Sequence, residues 1–199
     1  MQTPTSRRPR ACTRPFAPRP CASTNSSRVS STGPGVRPVP ELELRALHAN
    51  HKHAVESVLR GARVFREEEI RTALDVFEEA LRPYEDYHMI GAFLEGSLGG
   101  YACYGPTPMT DGCWHLYWIA VHQAFQRRGI AHALMERVLA DCSAHKVRLL
   151  TLEASGDAPA APARAFYEAV GFREEARVRD FYRPGDDVVH YVVRFPPAS

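Results

Sequence analysis

The apolar positions of the chain change rhythm several times, and each change marks an element. "ELELRAL" (41–47) alternates apolar and polar residues, the period of a half-buried strand. "HKHAVESVLRGA" (51–62) and "REEEIRTALDVFEEAL" (66–81) switch to helical spacing. Their stripes are Ala54, Val58 and Leu59, then Ile70, Leu74, Phe77 and Leu81. "YHMIGAFLEGSLGGYACYGPT" (87–107) reads as two strands around Glu95–Gly99, a short hairpin. "CWHLYWIAV" (113–121) is apolar on both faces and belongs at the centre of a sheet. The helix after it carries Ile130, Leu134, Val138 and Cys142 on one stripe, and "VRLLTLEAS" (147–155) is a further buried strand. "PARAFYEAV" (162–170) is a helix stopped by Gly171. "FREEARVRDFY" and "VVHYVVRF" flank the turn "RPGDD" as a closing hairpin. Strand, two helices, three strands, helix, strand, helix, two strands predicts a mixed α/β sheet.

Residues 1–38 break this pattern. They hold seven arginines, many Pro, Ser and Thr, and neither Asp nor Glu. Such a segment buries too little apolar surface to offset its ordering entropy. It is expected to be a disordered extension, with the folded domain spanning 39–199. The 199 residues suffice for one full core, and 44% hydrophobic with 24% charged residues is ordinary for a globular protein. A net charge of +2 implies no nucleic-acid partner, and no apolar run reaches the roughly 18 residues of a membrane span. Cys12, Cys21, Cys103, Cys113 and Cys142 are odd in number and show neither a CxxC pair nor zinc spacing. That favours a reduced, cytoplasmic compartment and no metal.

The chemistry concentrates between the central strand and its helix. "AVHQAFQRRGIAHALM" (120–135) carries neither GxxxxGK[ST] nor GxGxxG. It does place Gln126, Gly129 and Ala131 where a strand hands over to a helix. A glycine there lets backbone approach an anion, and free N–H groups with the helix dipole favour negative charge. Arg127 and Arg128 add candidate charge-assisted contacts. Read alone, the same pattern also describes a helix start with solvated arginines.

Context narrows the choice. "LYWIAVHQAFQRRGIAHALM", then "LLTLEAS", then "ARAFYEAVGF" resembles the GNAT superfamily of N-acetyltransferases, over about residues 41–195. The first stretch fits the family's strand–[QR]xxGx[GA]–helix unit. The second fits its AxxFYxxxGF helix through Ala163, Phe166, Tyr167, Gly171 and Phe172. "YACYGPTP" and "DFYRPGDD" point within it to a bacterial subgroup. The resemblance implies a mixed, mostly antiparallel central sheet flanked by helices. It implies acetyl-CoA as co-substrate and an amine acceptor whose identity the sequence leaves open. Ile119, Ala120 and Val121 would bind the pantetheine arm, and the backbone of Gln126, Arg127, Arg128, Gly129, Ile130 and Ala131 the diphosphate. Glu153 matches the general base of some members and Tyr167 the acid for the leaving thiolate. The amide of Val121 is a candidate for the oxyanion.

The bland alternatives are a solvent-facing strand-end carboxylate for Glu153 and a core aromatic for Tyr167. The chain also departs from the family. Ala160 stands where an Asn often contacts the coenzyme, the loop between Glu153 and Tyr167 is longer, and Ala131 replaces the commoner Gly. His115 and Tyr117 share a strand face and either line the amine pocket or belong to the core. His48, His51 and His53 are read as a solvated helix start, and Cys113 as a packed thiol. Asp180, Tyr182, Asp186 and Asp187 lie on the closing hairpin, read as a solvated turn or as carboxylates attracting a cationic amine. The rival functions are an acyl-CoA-binding module without turnover, a toxin-like or nucleic-acid-linked protein using the basic arm of residues 1–38, and a transferase for a longer acyl-CoA. Edge strands leave a homodimer open.

Overall fold

A computed structural model describes residues 41–82 and 87–196. The extension expected over 1–38 and the domain's start at 39 lie outside the described residues. The elements are β1 (Leu42–Ala46), α1 (Lys52–Ala62), α2 (Glu67–Ala80), β2 (His88–Leu94), β3 (Ser97–Pro106) and β4 (Cys113–Val121). They continue with α3 (Ile130–Ala144), β5 (Leu149–Ser155), α4 (Ala161–Ala169), β6 (Arg173–Arg183) and β7 (Asp186–Arg194). The order is the one that the periodicities predict.

The strands form one sheet in the order β1-β2-β3-β4-β5-β7-β6. All pairs are antiparallel except β4 with β5, whose parallel register needs the crossover that α3 supplies. The β2–β3 turn is only Glu95 and Gly96, at φ 52° and 78°. Positive φ at both central residues gives a turn whose twist matches the strands. The closing hairpin folds β7 back beside β5, leaving β6 at the edge with every residue exposed.

Two cores cover the two sheet faces. On one, Ile130, Leu134, Met135, Val138 and Cys142 of α3 pack with Trp114, Leu116, Leu150, Leu152 and Tyr191 from the sheet. On the other, Val55, Val58 and Leu59 of α1 and Ile70, Ala73 and Phe77 of α2 meet Met89, Phe93, Tyr101 and Ala120. The stripe predicted for α3 is buried residue for residue. At the start of α2 the Glu69 carboxylate accepts from the Arg66 backbone N–H at 2.7 Å, and Glu67, Glu68 and Glu69 complement the dipole. No described helix is long and apolar enough to cross a membrane.

Candidate active site

The site begins with a failure of pairing. β4 and β5 share three rungs, Cys113 with Leu149, Trp114 with Leu150 and His115 with Thr151. Beyond His115 the pairing stops, so the edge of β4 facing β5 has no ladder partner from Leu116 to Val121. The cause lies on the opposite edge. Cys103 pairs with Trp118 but Tyr104 pairs with Leu116, so Tyr117 is an extra residue on β4. Such a bulge bends its strand and strengthens the local twist. It also puts Tyr117 and Trp118 in succession against the α1–α2 core, while Leu116 and Ile119 face α3. The splay carries Ile119, Ala120 and Val121. Ala120 is buried, and its two neighbours are half-buried.

At the C-terminal end of β4 the chain makes a tight 3-10 turn over Gln123–Phe125, then reaches Gly129. Gly129 is the N-cap of α3 at φ 78°, and a Cβ there would meet nothing within 4 Å. The first intrahelical bond runs from the Ala133 N–H to the Gly129 carbonyl, so the amides before it have no acceptor in the helix. The first turn holds no acidic residue. Gln126, Arg127, Arg128 and Gly129 are exposed, and Arg127 takes a left-handed φ of 61°. Open space, free amides and an uncompensated dipole are the features that an anion site requires. Ile130 is the exception among these residues, because its side chain anchors the helix in the core at 1% exposure. Ala131 begins the first turn and is half-buried.

His122 sets this turn. Its Nδ1 accepts the Ala124 backbone N–H at 3.1 Å, and its ring meets the Phe125 edge at 5.8 Å. Gly61 of α1 makes room for that ring: a Cβ on Gly61 would lie 1.8 Å from His122 Cδ2. A glycine near the end of a helix costs roughly 1 kcal/mol against alanine, and only a packing reason explains it. Gly61→Ala is therefore expected to destabilise by about 1–3 kcal/mol, despite its better helix propensity, because it evicts His122. Urea denaturation measures this; an unchanged or raised midpoint would show that the ring moves freely.

The α1–α2 face of the splay gathers polar groups. His115 Nδ1 lies 2.8 Å from Thr151 Oγ1, and its ring contacts Tyr117 edge-on at 4.9 Å. Tyr87 meets Tyr117 at 5.0 Å. Next along β5, Glu153 pairs across to His190 of β7, with Oε1 3.5 Å from Nδ1. Glu153 is 44% exposed, in keeping with the solvent-facing alternative, and His190 is the charged partner it faces. Burial holds His115 below the ordinary histidine range, against the opposing pull of Glu153. Burial likewise raises Tyr117 to about 12 and Tyr182 by less, and Glu153 adds to the latter rise.

Tyr167 stands on the other side of β5. It packs among Phe166, Phe172 and Tyr191 with ring centroids at 5.8, 6.2 and 6.1 Å. Burial pushes its hydroxyl up to about 12. Phe166 touches His132 of α3 at 5.1 Å, which ties α4 to the helix that Gly129 caps. Glu153 and Tyr167 thus flank the splay from opposite sheet faces, and do not form a pair.

The hairpin corrects one expectation. Asp186 is not in a solvated turn but starts β7 at 7% exposure, accepting from Ser155 Oγ and facing Arg183 at 3.4 Å. Asp187 pairs with Arg177 at 3.3 Å, and Asp180 accepts the Gly185 N–H at 2.6 Å. Asp186 and Asp187 are neutralised by arginine as β7 pairs beside β6, whereas Asp180 stays exposed and only closes the turn. Phe181 and Tyr182 remain exposed, in edge contact at 5.1 Å. The histidine start is partly as expected: His48 and His53 are exposed, whereas His51 caps the His48 N–H and touches Phe93 at 5.5 Å. Cys113 is half-buried. Among the described residues no group of three or more His, Cys, Asp and Glu is placed to hold a metal.

Sequence reasoning missed Thr151, His190 and Gly61. Their only signals are a polar residue inside "LLTLE", another inside "VVHYVV", and a glycine inside a helical stripe.

The sequence pattern of the acetyltransferase (GNAT) family matches residues 55–172. Among solved structures, a GNAT-family protein from Desulfovibrio desulfuricans is 37% identical, with a TM-score of 0.73 over 77% of this chain and 99% of its own. The ribosomal-protein-S18-alanine N-acetyltransferase of Escherichia coli shares the fold at 22% identity, TM-score 0.67, over 80% of this chain and 97% of its own. YncA of Salmonella typhimurium, solved with its cofactor acetyl-CoA, does so at 13% identity and TM-score 0.61, over 80% and 96%. No curated protein matches the chain.

Proposed function

The chain belongs to the acetyltransferase (GNAT) family, and from that premise we propose that it carries an acetyl group from acetyl-CoA to a primary amine, by direct attack with both substrates bound. The observation that carries this reading is the splay: an unpaired strand edge that ends in an anion cradle. A pantetheine arm has amides that hydrogen-bond like a strand, and the free edge of Ile119–Val121 suits it. A diphosphate suits the amides from Arg127 to Ala131 and the open space before Gly129. When bound, acetyl-CoA supplies a thioester, the activated acyl group.

The rest falls to the chain's own residues. A protonated alkyl amine, with a pKa near ~10, must lose a proton before it attacks. The face with Glu153, His115 and His190 is where a base is at hand, and the carboxylate of Glu153 attracts the cation. The tyrosines Tyr87, Tyr117 and Tyr182 give that face apolar walls with polar tips. Tyr167 supplies a proton to the departing sulfur from the opposite face. The amide of Val121 is the donor for the oxyanion.

Purified protein is incubated with acetyl-CoA and, separately, spermidine, L-lysine, glucosamine and an alanyl hexapeptide. Thiol release and product mass are followed. The proposal expects at least one N-acetylated product. Binding of acetyl-CoA without turnover of any amine would favour a binding module instead.

A further inference from the structure

We infer that His115, rather than Glu153, accepts the proton of the amine, and that Thr151 is the positioning residue that makes it able to. The inference rests on the acetyl-transfer reading and names the base within the same site.

The argument starts from one hydroxyl hydrogen. Thr151 Oγ1 lies 3.2 Å from the Trp114 carbonyl oxygen, to which it donates. It also lies 2.8 Å from His115 Nδ1. A threonine hydroxyl has a single hydrogen to give. Both contacts are hydrogen bonds at once only if Nδ1 carries a hydrogen and donates it to Thr151. In the neutral ring that leaves Nε2 bare, with a lone pair and no partner among the described residues. A bare ring nitrogen is what a proton acceptor needs.

Position supports the same role. His115 and Thr151 form the last rung before β4 leaves β5. The ring therefore stands at the apex of the splay, two residues before Tyr117, the extra residue of the bulge. Glu153 lies two residues further along β5, turned to His190.

The groups around His115 decide its charge. On its own strand stand Tyr117 and Cys113, on β3 Cys103, on β5 Glu153, on β7 His190, on β6 Tyr182, and before β2 Tyr87. Burial is the largest influence and favours the neutral ring, His190 acts with it, and Glu153 alone pulls the imidazole toward its cation, so the ring is neutral at pH 7.5. As pH falls through its lowered pKa the ring gains a proton and can no longer accept one. The acid limb of kcat/KM is therefore expected below about 6.5.

The step balances. The ammonium N–H bond breaks, its electron pair stays on nitrogen, and the proton moves to Nε2. That pair forms the C–N bond to the thioester carbon while the C–S bond breaks. The leaving sulfur takes the Tyr167 proton, and the phenolate regains the second proton shed by the new amide nitrogen. His115 then passes its proton to water.

Two measurements test this. Long-range proton–nitrogen NMR of the wild-type histidine rings, assigned with His115→Gln, reads the tautomer without any turnover. A neutral ring with hydrogen on Nδ1 at pH 7.5 is expected; hydrogen on Nε2, or an imidazolium at that pH, would overturn the inference. Kinetics with the fastest amine of the panel form the second arm. His115→Gln is expected to lower kcat/KM about 100-fold or more and to remove the acid limb, with acetyl-CoA binding kept. Thr151→Val should lose part of the rate and shift the limb, and Thr151→Ser should restore both. Glu153→Gln should act mainly on KM for the amine. Loss of the limb in Glu153→Gln, or its survival in His115→Gln, would contradict the assignment. Failure of every amine in the wild type would count against acetyl transfer itself, while the NMR result still decides the tautomer.

Discussion

Gly129→Glu is expected to abolish acetyl-CoA binding while leaving the fold in place. Gly129 sits at φ 78°, and a Cβ there meets open space rather than protein. The folding cost is therefore the left-handed backbone alone, about 1–2 kcal/mol. The effect on the ligand is larger. A carboxylate would project into the space before the free amides of α3 and set a like charge against the diphosphate. Calorimetric titration should show affinity reduced by at least about 100-fold, which corresponds to roughly 2.7 kcal/mol. Gly129→Ala separates the two causes, because it adds the backbone strain without the charge. It should retain most of the affinity. Equal loss in both variants would mean that the glycine's conformation, and not the open anion site, is what matters.

Tyr167→Phe is expected to lower kcat by about 100-fold or more with KM for the amine nearly unchanged. The ring is held by Phe166, Phe172 and Tyr191, and phenylalanine keeps those contacts. The variant therefore folds, and what it loses is the proton for the leaving sulfur. Burial holds this hydroxyl up to about 12. An acid works while protonated, so its loss of function appears only as pH rises through that value. No alkaline fall due to Tyr167 is expected in the working range. A thiolate leaving in the same desolvated site is raised by the same physics, which keeps the transfer from becoming strongly uphill. Full activity of Tyr167→Phe would show that the sulfur takes its proton from water.

What the sequence reveals and what it hides divide by distance along the chain. The stripe Ile130, Leu134, Val138 and Cys142 and the turn expected around Glu95–Gly99 are local patterns with local causes. They read directly as helix and hairpin, though the turn itself is shorter, Glu95 and Gly96 alone. The splay is only partly local. "CWHLYWIAV" marks a central strand, but the extra residue Tyr117 appears only when β3 is laid beside it. The same holds for β7, which lies between β5 and β6 and thereby brings His190 to Glu153. Asp186 misleads for this reason: in sequence it borders a polar turn, and in the fold it faces Ser155 and Arg183. His115 was visible as one of two residues on a strand face, yet its tautomer depends on Thr151, 36 positions away. No spacing rule reaches that far.

The measurement that bears most directly on the central claim is amide hydrogen exchange of the full chain with and without saturating acetyl-CoA. The claim predicts slowed exchange in two stretches, Ile119–Val121 on the free edge of β4 and Arg127–Ala131 at the start of α3, with β6 unaffected. Protection confined to other segments, or none in either stretch, would contradict it, and the splay would then have to be explained without a coenzyme.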